Sequence, residues 1–396
     1  MISSKMQTSM LLYKVWRMWF FILFIFSMYP WFSWNINSVV ISIITVLLSA
    51  LFLNKNNYIG KPYTLSLILF FIFFLWQARR LNLFGIIESI CLFFSIAILF
   101  CLREEYKYDL IRFITKWFSI IVGVSLFFYF LYLLGFPLPY TYSQMGDSSN
   151  YEFDNYFFFL AKDISMRFRG PFLEPGHMTM GIAPILFINK YDFKNPYVVV
   201  LSLAQLFSMS LAGIILFFLG YILIALSRNK GVKQKILSIT PLFLIVLIAG
   251  ALIWYAYGRD SVEEMFLARL VYDSDLGTIA GYNRTTEYFD HLYNQVMSSS
   301  HRWVGVELTD QDFEGGVAGY KRFFVENGLI SAFLIIVAYF SVAFKSGNRN
   351  KKLASMLLLV LILLLSQNAY PLWWCMLISL ACGVPYMVSN ERKYRI

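Results

Sequence analysis

Apolar residues gather along this chain in long blocks, not in strand-like alternation or a one-sided helical stripe. The blocks hold roughly 16 to 22 residues each, close to what a helix needs to cross a bilayer core. About twelve can be read: 16–34, 36–53, 63–78, 83–102, 116–136, 174–190, 194–209, 211–227, 236–257, 323–344, 351–368 and 371–389. The first has no small-residue cleavage site and reads as a retained span. The expected fold class is an all-α integral membrane protein of about 12 transmembrane helices.

Two long polar stretches interrupt the blocks. The first, 137–173, is crowded with Tyr140, Tyr142, Tyr151, Phe153, Tyr156, Phe157, Phe158 and Phe159. Such rings suit either an interfacial belt or stacking on sugars. The second, 258–322, is long enough for helices of its own. Val262, Met265, Phe266 and Leu270 form one apolar stripe at helical spacing, and Phe289, Leu292, Tyr293 and Val296 form another. The opposite face of that second helix carries Arg284, Glu287, Tyr288, His291 and Gln295, either a solvated face or a lid turned onto the first loop. Residues 103–116, REEYKYDLIRFITK, read as a short amphipathic helix on the membrane surface. Nothing repeats at a fixed period, so 1–396 is expected to be one polytopic membrane domain with 137–173 and 258–322 as outer loops.

Composition agrees: 59% of the 396 residues are apolar and 14% charged, against about 25% charged in soluble domains. With the N-terminus inside, 22 of the 33 basic residues fall in inner segments, mostly short loops, and both termini are expected in the cytoplasm. The formal charge of +10 is thereby a topology signal, and no nucleic-acid partner is implied. Inside, lysine outnumbers arginine fifteen to seven; outside, Arg79, Arg80, Arg167, Arg169, Arg259, Arg269, Arg284, Arg302 and Arg322 face only Lys162 and Lys321. Orientation needs only positive charge, whereas the arginine fork grips phosphate bidentately.

The richest polar segment is RFRGPFLEPGH, from Arg167 to His177, where Gly170, Pro171, Pro175 and Gly176 shape the backbone before an apolar run. Glu174 sits where a carboxylate favours a helix start, and could also take a proton from an attacking hydroxyl. His177, one turn on, is the alternative base. Glu88 lies well inside an apolar block, whereas Glu174 and Glu326 sit at the starts of theirs. Glu88 is expected to pair with Arg79 or Arg80 at the outer end of its span, or to act in the chemistry. His177, His291 and His301 all map outside without HxxxH or HExxH spacing, so no metal site is expected. There is no Walker A loop, dinucleotide GxGxxG or GxSxG elbow. The four cysteines lie in apolar blocks and read as small core fillers.

RFRGPFLEPGH, a long outer loop, then GYKRFFVENGLISAFLI (319–335) resembles the Wzy-type O-antigen polymerases, within the O-antigen polymerase and ligase superfamily. The family's arginine-then-Gly-x-Phe pattern falls on Arg169, Gly170 and Phe172, with Glu174 following. Its acidic-x-Gly-apolar helix start falls on Glu326, Gly328, Leu329 and Ile330. Ligases carry a His-Asn pair about ten residues before the last motif's glycine, where this chain has Gly316-Val317-Ala318-Gly319; the departure favours polymerase. The resemblance implies a glycosyltransferase joining undecaprenyl-diphosphate-linked repeat units at the periplasmic face of the bacterial inner membrane, in lipopolysaccharide biosynthesis. The same lipid-linked oligosaccharide serves as donor and acceptor, a chain-length regulator is an accessory partner, and no cofactor is required. It implies diphosphate-binding arginines in both outer loops: Arg167 and Arg169 in the first and, chosen from Arg259, Arg269, Arg284 and Arg302, Arg269 and Arg284 in the second. Glu174 and His177 are the catalytic candidates, with Arg79, Arg80, Glu88, Glu287, His291 and His301 as supporting candidates. A glycan ligase and a lipid-oligosaccharide flippase are the alternatives. The flippase fits less well, because charge concentrates in two outer loops and not along a central cavity.

Overall fold

The structure, a computed structural model, describes residues 4–53, 60, 63–79, 81–145, 152–156, 158–161, 167–227, 285–308, 317–346, 351–367 and 369–388, with positions 240, 247, 251, 255, 272–273 and 278–279. It is predominantly helical. The first five helices are α1 (Ser4–Phe26), α2 (Ser38–Leu53), α3 (Thr64–Ala78), α4 (Leu83–Cys101) and α5 (Glu104–Leu133). After the first loop come α6 (Pro175–Ile188), α7 (Pro196–Phe207) and α8 (Leu211–Ser227). The second loop contributes α9 (Glu287–Ser298). It is followed by α10 (Gly319–Ser346), α11 (Lys351–Leu365) and α12 (Trp374–Ile378), which passes through a π turn into α13 (Val384–Val388). Among the described residues, Leu83–Cys101, Glu104–Leu133 and Gly319–Lys345 are long and apolar enough to cross a membrane. Most apolar blocks fall on helices. The first, 16–34, is displaced, since α1 ends at Phe26 and Trp31–Ser33 forms a separate 3-10 turn, and 236–257 lies outside the described residues apart from isolated positions.

Local chemistry explains several helix ends. Asn82 caps α4 by accepting from the Gly85 N–H at 2.9 Å, and Asn195 caps α7 with Pro196 in the first helical position. The stretch 103–116 is not a separate surface helix. It is the start of the 30-residue α5, because nothing between Glu104 and Leu133 breaks the ladder. At 1.5 Å per residue that helix rises about 45 Å, more than a hydrocarbon core needs. α10 is two helices meeting at Gly328, whose φ of 72° and ψ of 172° interrupt it.

The first loop is not wholly irregular. β1 (Thr141–Gln144) and β2 (Glu152–Asn155) pair antiparallel, with Tyr142 opposite Asp154, and β3 (Leu160–Ala161) adds to β2. Its aromatics divide by depth: Tyr140 and Tyr142 are exposed while Phe153 and Phe159 are buried. Phe158 lies flat against Phe128 of α5, ring centres 4.2 Å apart. Much of the loop's aromatic content thus anchors it to α5; Tyr151 and Phe157 lie outside the described residues. A second ladder, β4 (Tyr272–Asp273) with β5 (Thr278–Ile279), belongs to the second loop.

α6 occupies the centre: twelve of its fourteen residues, from Pro175 to Ile188, are buried, as expected for a helix apolar on every side. Connections meet in two groups, one at each end of the bundle. At one end Trp31 N–H donates to the Pro171 carbonyl, Leu173 N–H to Tyr29, Phe168 N–H to Phe207 and Gly319 N–H to Gln367. At the other, Asp109 accepts from Tyr13 and Arg17, Lys107 donates to the Phe100 carbonyl, and Asn189 bonds Thr115 and Tyr386. The segments that the charge pattern assigns to the outside meet at the first end.

Candidate functional site

RFRGPFLEPGH folds as a braced turn at that first end. Gly170 takes φ +59°, Phe172 N–H returns to the Arg169 carbonyl at 3.3 Å, and Leu160 N–H bonds the Gly170 carbonyl at 2.9 Å. Phe172 also bridges to Pro30, beyond the end of α1. Arg169 is 6% exposed. Its guanidinium donates to the Leu173 carbonyl at 3.2 Å and lies 4.9 Å from the centre of the Phe153 ring. Burial holds its pKa down at about 10, with the Glu174 carboxylate pulling upward, so it stays charged at neutral pH. It braces the turn from within. Arg167 is half-buried two residues earlier.

Glu174 occupies the cap position of α6 without a side-chain capping bond, and Pro175 follows at the first helical position. Its half-buried carboxylate is therefore not committed to the helix end. One turn on, His177 is boxed by two rings, Tyr29 at 5.4 Å and Trp373 at 5.8 Å between centres, themselves 5.7 Å apart. The α1–α2 connection, α6 and the α11–α12 connection each supply one ring.

Behind Trp373, around Tyr370, stands a group that the sequence did not single out as a site. Arg322 Nε donates to Glu326 Oε1 at 2.8 Å, one turn apart on α10. The Tyr370 hydroxyl donates to Glu326 Oε2 at 3.1 Å, and Asn327 Nδ2 donates to the Tyr370 oxygen at 3.0 Å. Burial, reinforced by Glu326, holds the Tyr370 phenol above its ordinary pKa, so it remains a donor. The Tyr370 carbonyl accepts from the Trp373 N–H at 3.0 Å, which ties this group to the His177 box. The Arg322 side chain is 44% exposed; a polar ligand can reach it as it cannot reach Arg169. The available signal was its place in GYKRFFVENGL, four residues before Glu326.

Other predicted positions are scattered. Arg79 is exposed and folds onto Trp76, 3.4 Å from the ring centre, donating to the Trp76 carbonyl at 2.9 Å. Among the described residues no ion pair joins it to the half-buried Glu88, and Arg80, the other expected partner of Glu88, lies outside them. Arg269 and Arg284 also lie outside the described residues. Glu287 and His291 are exposed on α9, while Phe289 and Val296 of the same helix are buried with Val325. Asp290 pairs with Lys321, fixing α9 to the start of α10. His301 is on a 3-10 turn, Ser300–Trp303, and lines a cleft of about 320 Å³.

No family model, curated protein or solved structure matches the chain.

Proposed function

We propose that this chain is a glycan polymerase of the O-antigen type, with about twelve spans, both termini cytoplasmic and its site at the periplasmic face of the inner membrane. One observation supports the reading: the two motifs, about 150 residues apart in sequence, meet one short segment, in which Trp373 packs on His177 and the Tyr370 hydroxyl bonds Glu326. A carboxylate and an imidazole at the start of α6 thus share one end of the bundle with a partly exposed arginine. Arg322, oriented by Glu326 and Tyr370, holds the diphosphate of the lipid-linked donor, and Arg167 and the braced Arg169 set positive potential around it. A sugar hydroxyl of the incoming repeat unit attacks the donor's anomeric carbon. The new C–O bond forms as the bond to diphosphate breaks; the electron pair leaves with the diphosphate oxygen, where Arg322 stabilises the developing charge. The hydroxyl proton passes to Glu174, with His177 the alternative acceptor. No nucleotide enters, in keeping with a sequence that lacks nucleotide loops.

The test supplies purified protein with synthetic undecaprenyl-diphosphate-linked repeat units and resolves products on a gel. A ladder that disappears in Glu174→Gln is expected. Transfer only to a lipid A acceptor would reassign the chain as a ligase, and movement of the lipid across vesicles without a new glycosidic bond would make it a transporter.

A further inference from the structure

Beside the Arg322–Glu326 pair the second loop presents a surface that the proposed chemistry does not use. The turn Ser300–Trp303 and the residues after it are pressed against the α10 interruption through two glycines. Gly305 has φ +75° and Gly328 φ +72°; a Cβ on the first would lie 2.6 Å from the Glu326 carbonyl, and on the second 2.5 Å from the Trp303 carbonyl. Val306 N–H donates to the Val325 carbonyl at 2.7 Å. The backbone carrying Trp303 is thus locked against the backbone carrying Glu326.

On this locked segment, Trp303 is 48% exposed, with the Arg302 guanidinium 5.0 Å from its ring centre. The cleft alongside is lined by Leu292, Gln295, His301, Glu307 and Leu308 among others. Its volume of about 320 Å³ falls at the small end of ligand pockets. An amide, an imidazole and a carboxylate around an apolar floor offer donors and acceptors suited to ring hydroxyls. An exposed indole offers a face for the C–H side of a pyranose. The carboxylate of Glu307 makes the cleft a poor phosphate site.

We propose that this cleft and Trp303 form a saccharide subsite that holds a neutral sugar of the substrate glycan, positioned from the diphosphate site by the paired glycines. The assignment rests on the glycosyl-transfer reading above. Trp303→Ala and, as a milder change at an exposed position, Glu307→Gln are assayed in the full-length protein. With lipid-linked repeat units, each variant raises KM about tenfold, the order one aromatic or charged contact supplies, while kcat stays within twofold. A second arm measures binding of the oligosaccharide released by mild acid from the host's lipid-linked repeat unit, using saturation-transfer NMR. Its signals appear with the unmodified protein and with Arg322→Ala but fade with Trp303→Ala. An active protein whose KM is unchanged in both variants overturns the subsite and leaves the polymerase reading standing. Absence of any ladder from the unmodified protein sinks the polymerase reading, and the NMR arm then decides the subsite by itself: signals lost in Trp303→Ala uphold it, and no signals from the unmodified protein end it.

Discussion

Gly328→Ala probes the junction on which the proposed site depends. The added methyl carbon would sit 2.5 Å from the Trp303 carbonyl oxygen and 2.7 Å from the Gly305 nitrogen, where ordinary contact begins at 3.4 Å. Neither neighbour is a flexible side-chain tip, so two backbones must separate by close to an ångström, and the Val306–Val325 hydrogen bond at 2.7 Å lies in that seam. An L-residue in this glycine-only conformation costs about 1–3 kcal/mol, and losing the bond adds about 1 kcal/mol. Gly135→Ala is the matched control: its φ is +78° but nothing lies within 4 Å of the new Cβ, leaving a conformational cost of about 1–2 kcal/mol. Thermal denaturation of detergent-solubilised protein, followed by tryptophan fluorescence, should therefore place Gly328→Ala several degrees below Gly135→Ala, taking roughly 2–4 °C per kcal/mol. Gly328→Ala should also lose polymer at temperatures where Gly135→Ala retains it. Equal melting of the two variants would refute the backbone-contact argument.

Other outcomes follow from the same geometry. Arg322→Ala is expected to lower kcat about a hundredfold or more, as removal of one charge-stabilising donor does, without loss of membrane insertion; a ladder of normal intensity would remove Arg322 from the site. Arg169→Ala should cost both polymer and stability, because it strands the buried Leu173 carbonyl at about 1–3 kcal/mol. Glu174→Ala should cost polymer alone, and a melting curve for each variant separates the two roles. Asp290→Asn leaves the Lys321 ammonium, 10% exposed at its side chain, without its carboxylate. Limited proteolysis should then cut near α9 faster than in the unmodified protein.

Helix positions were legible because apolar length is a one-dimensional signal: the block 83–102 became Leu83–Cys101, and 351–368 became Lys351–Leu365. The merging of 103–116 into α5 was missed because a change of polarity was read as a change of element, although no glycine or proline separates the two parts. The small sheet was hidden by ring-rich composition; the inward turn of Phe153 and Asn155 against Glu152 and Asp154 is the alternation that marks it. At the site, the turn 167–177 could be read from its charged and turn-forming residues. Tyr29 and Trp373 could not, since each resembles any interfacial aromatic until the chain folds and brings α1 and α12 to the start of α6. Arg322 was visible as an outer arginine, but its pairing with Glu326 and Tyr370 depends on a contact across more than forty residues.

α6 has 14 residues and rises only about 21 Å, whereas a hydrocarbon layer is about 30 Å deep. The helices it packs against are short as well, α7 with 12 residues, α8 with 17 and α11 with 15, so the layer around the end bearing Glu174 and His177 must thin to match them. Under the proposed glycosyl transfer, a lipid-tethered sugar would then present its head group from the side, its tail still among acyl chains, without being lifted clear of the bilayer to react.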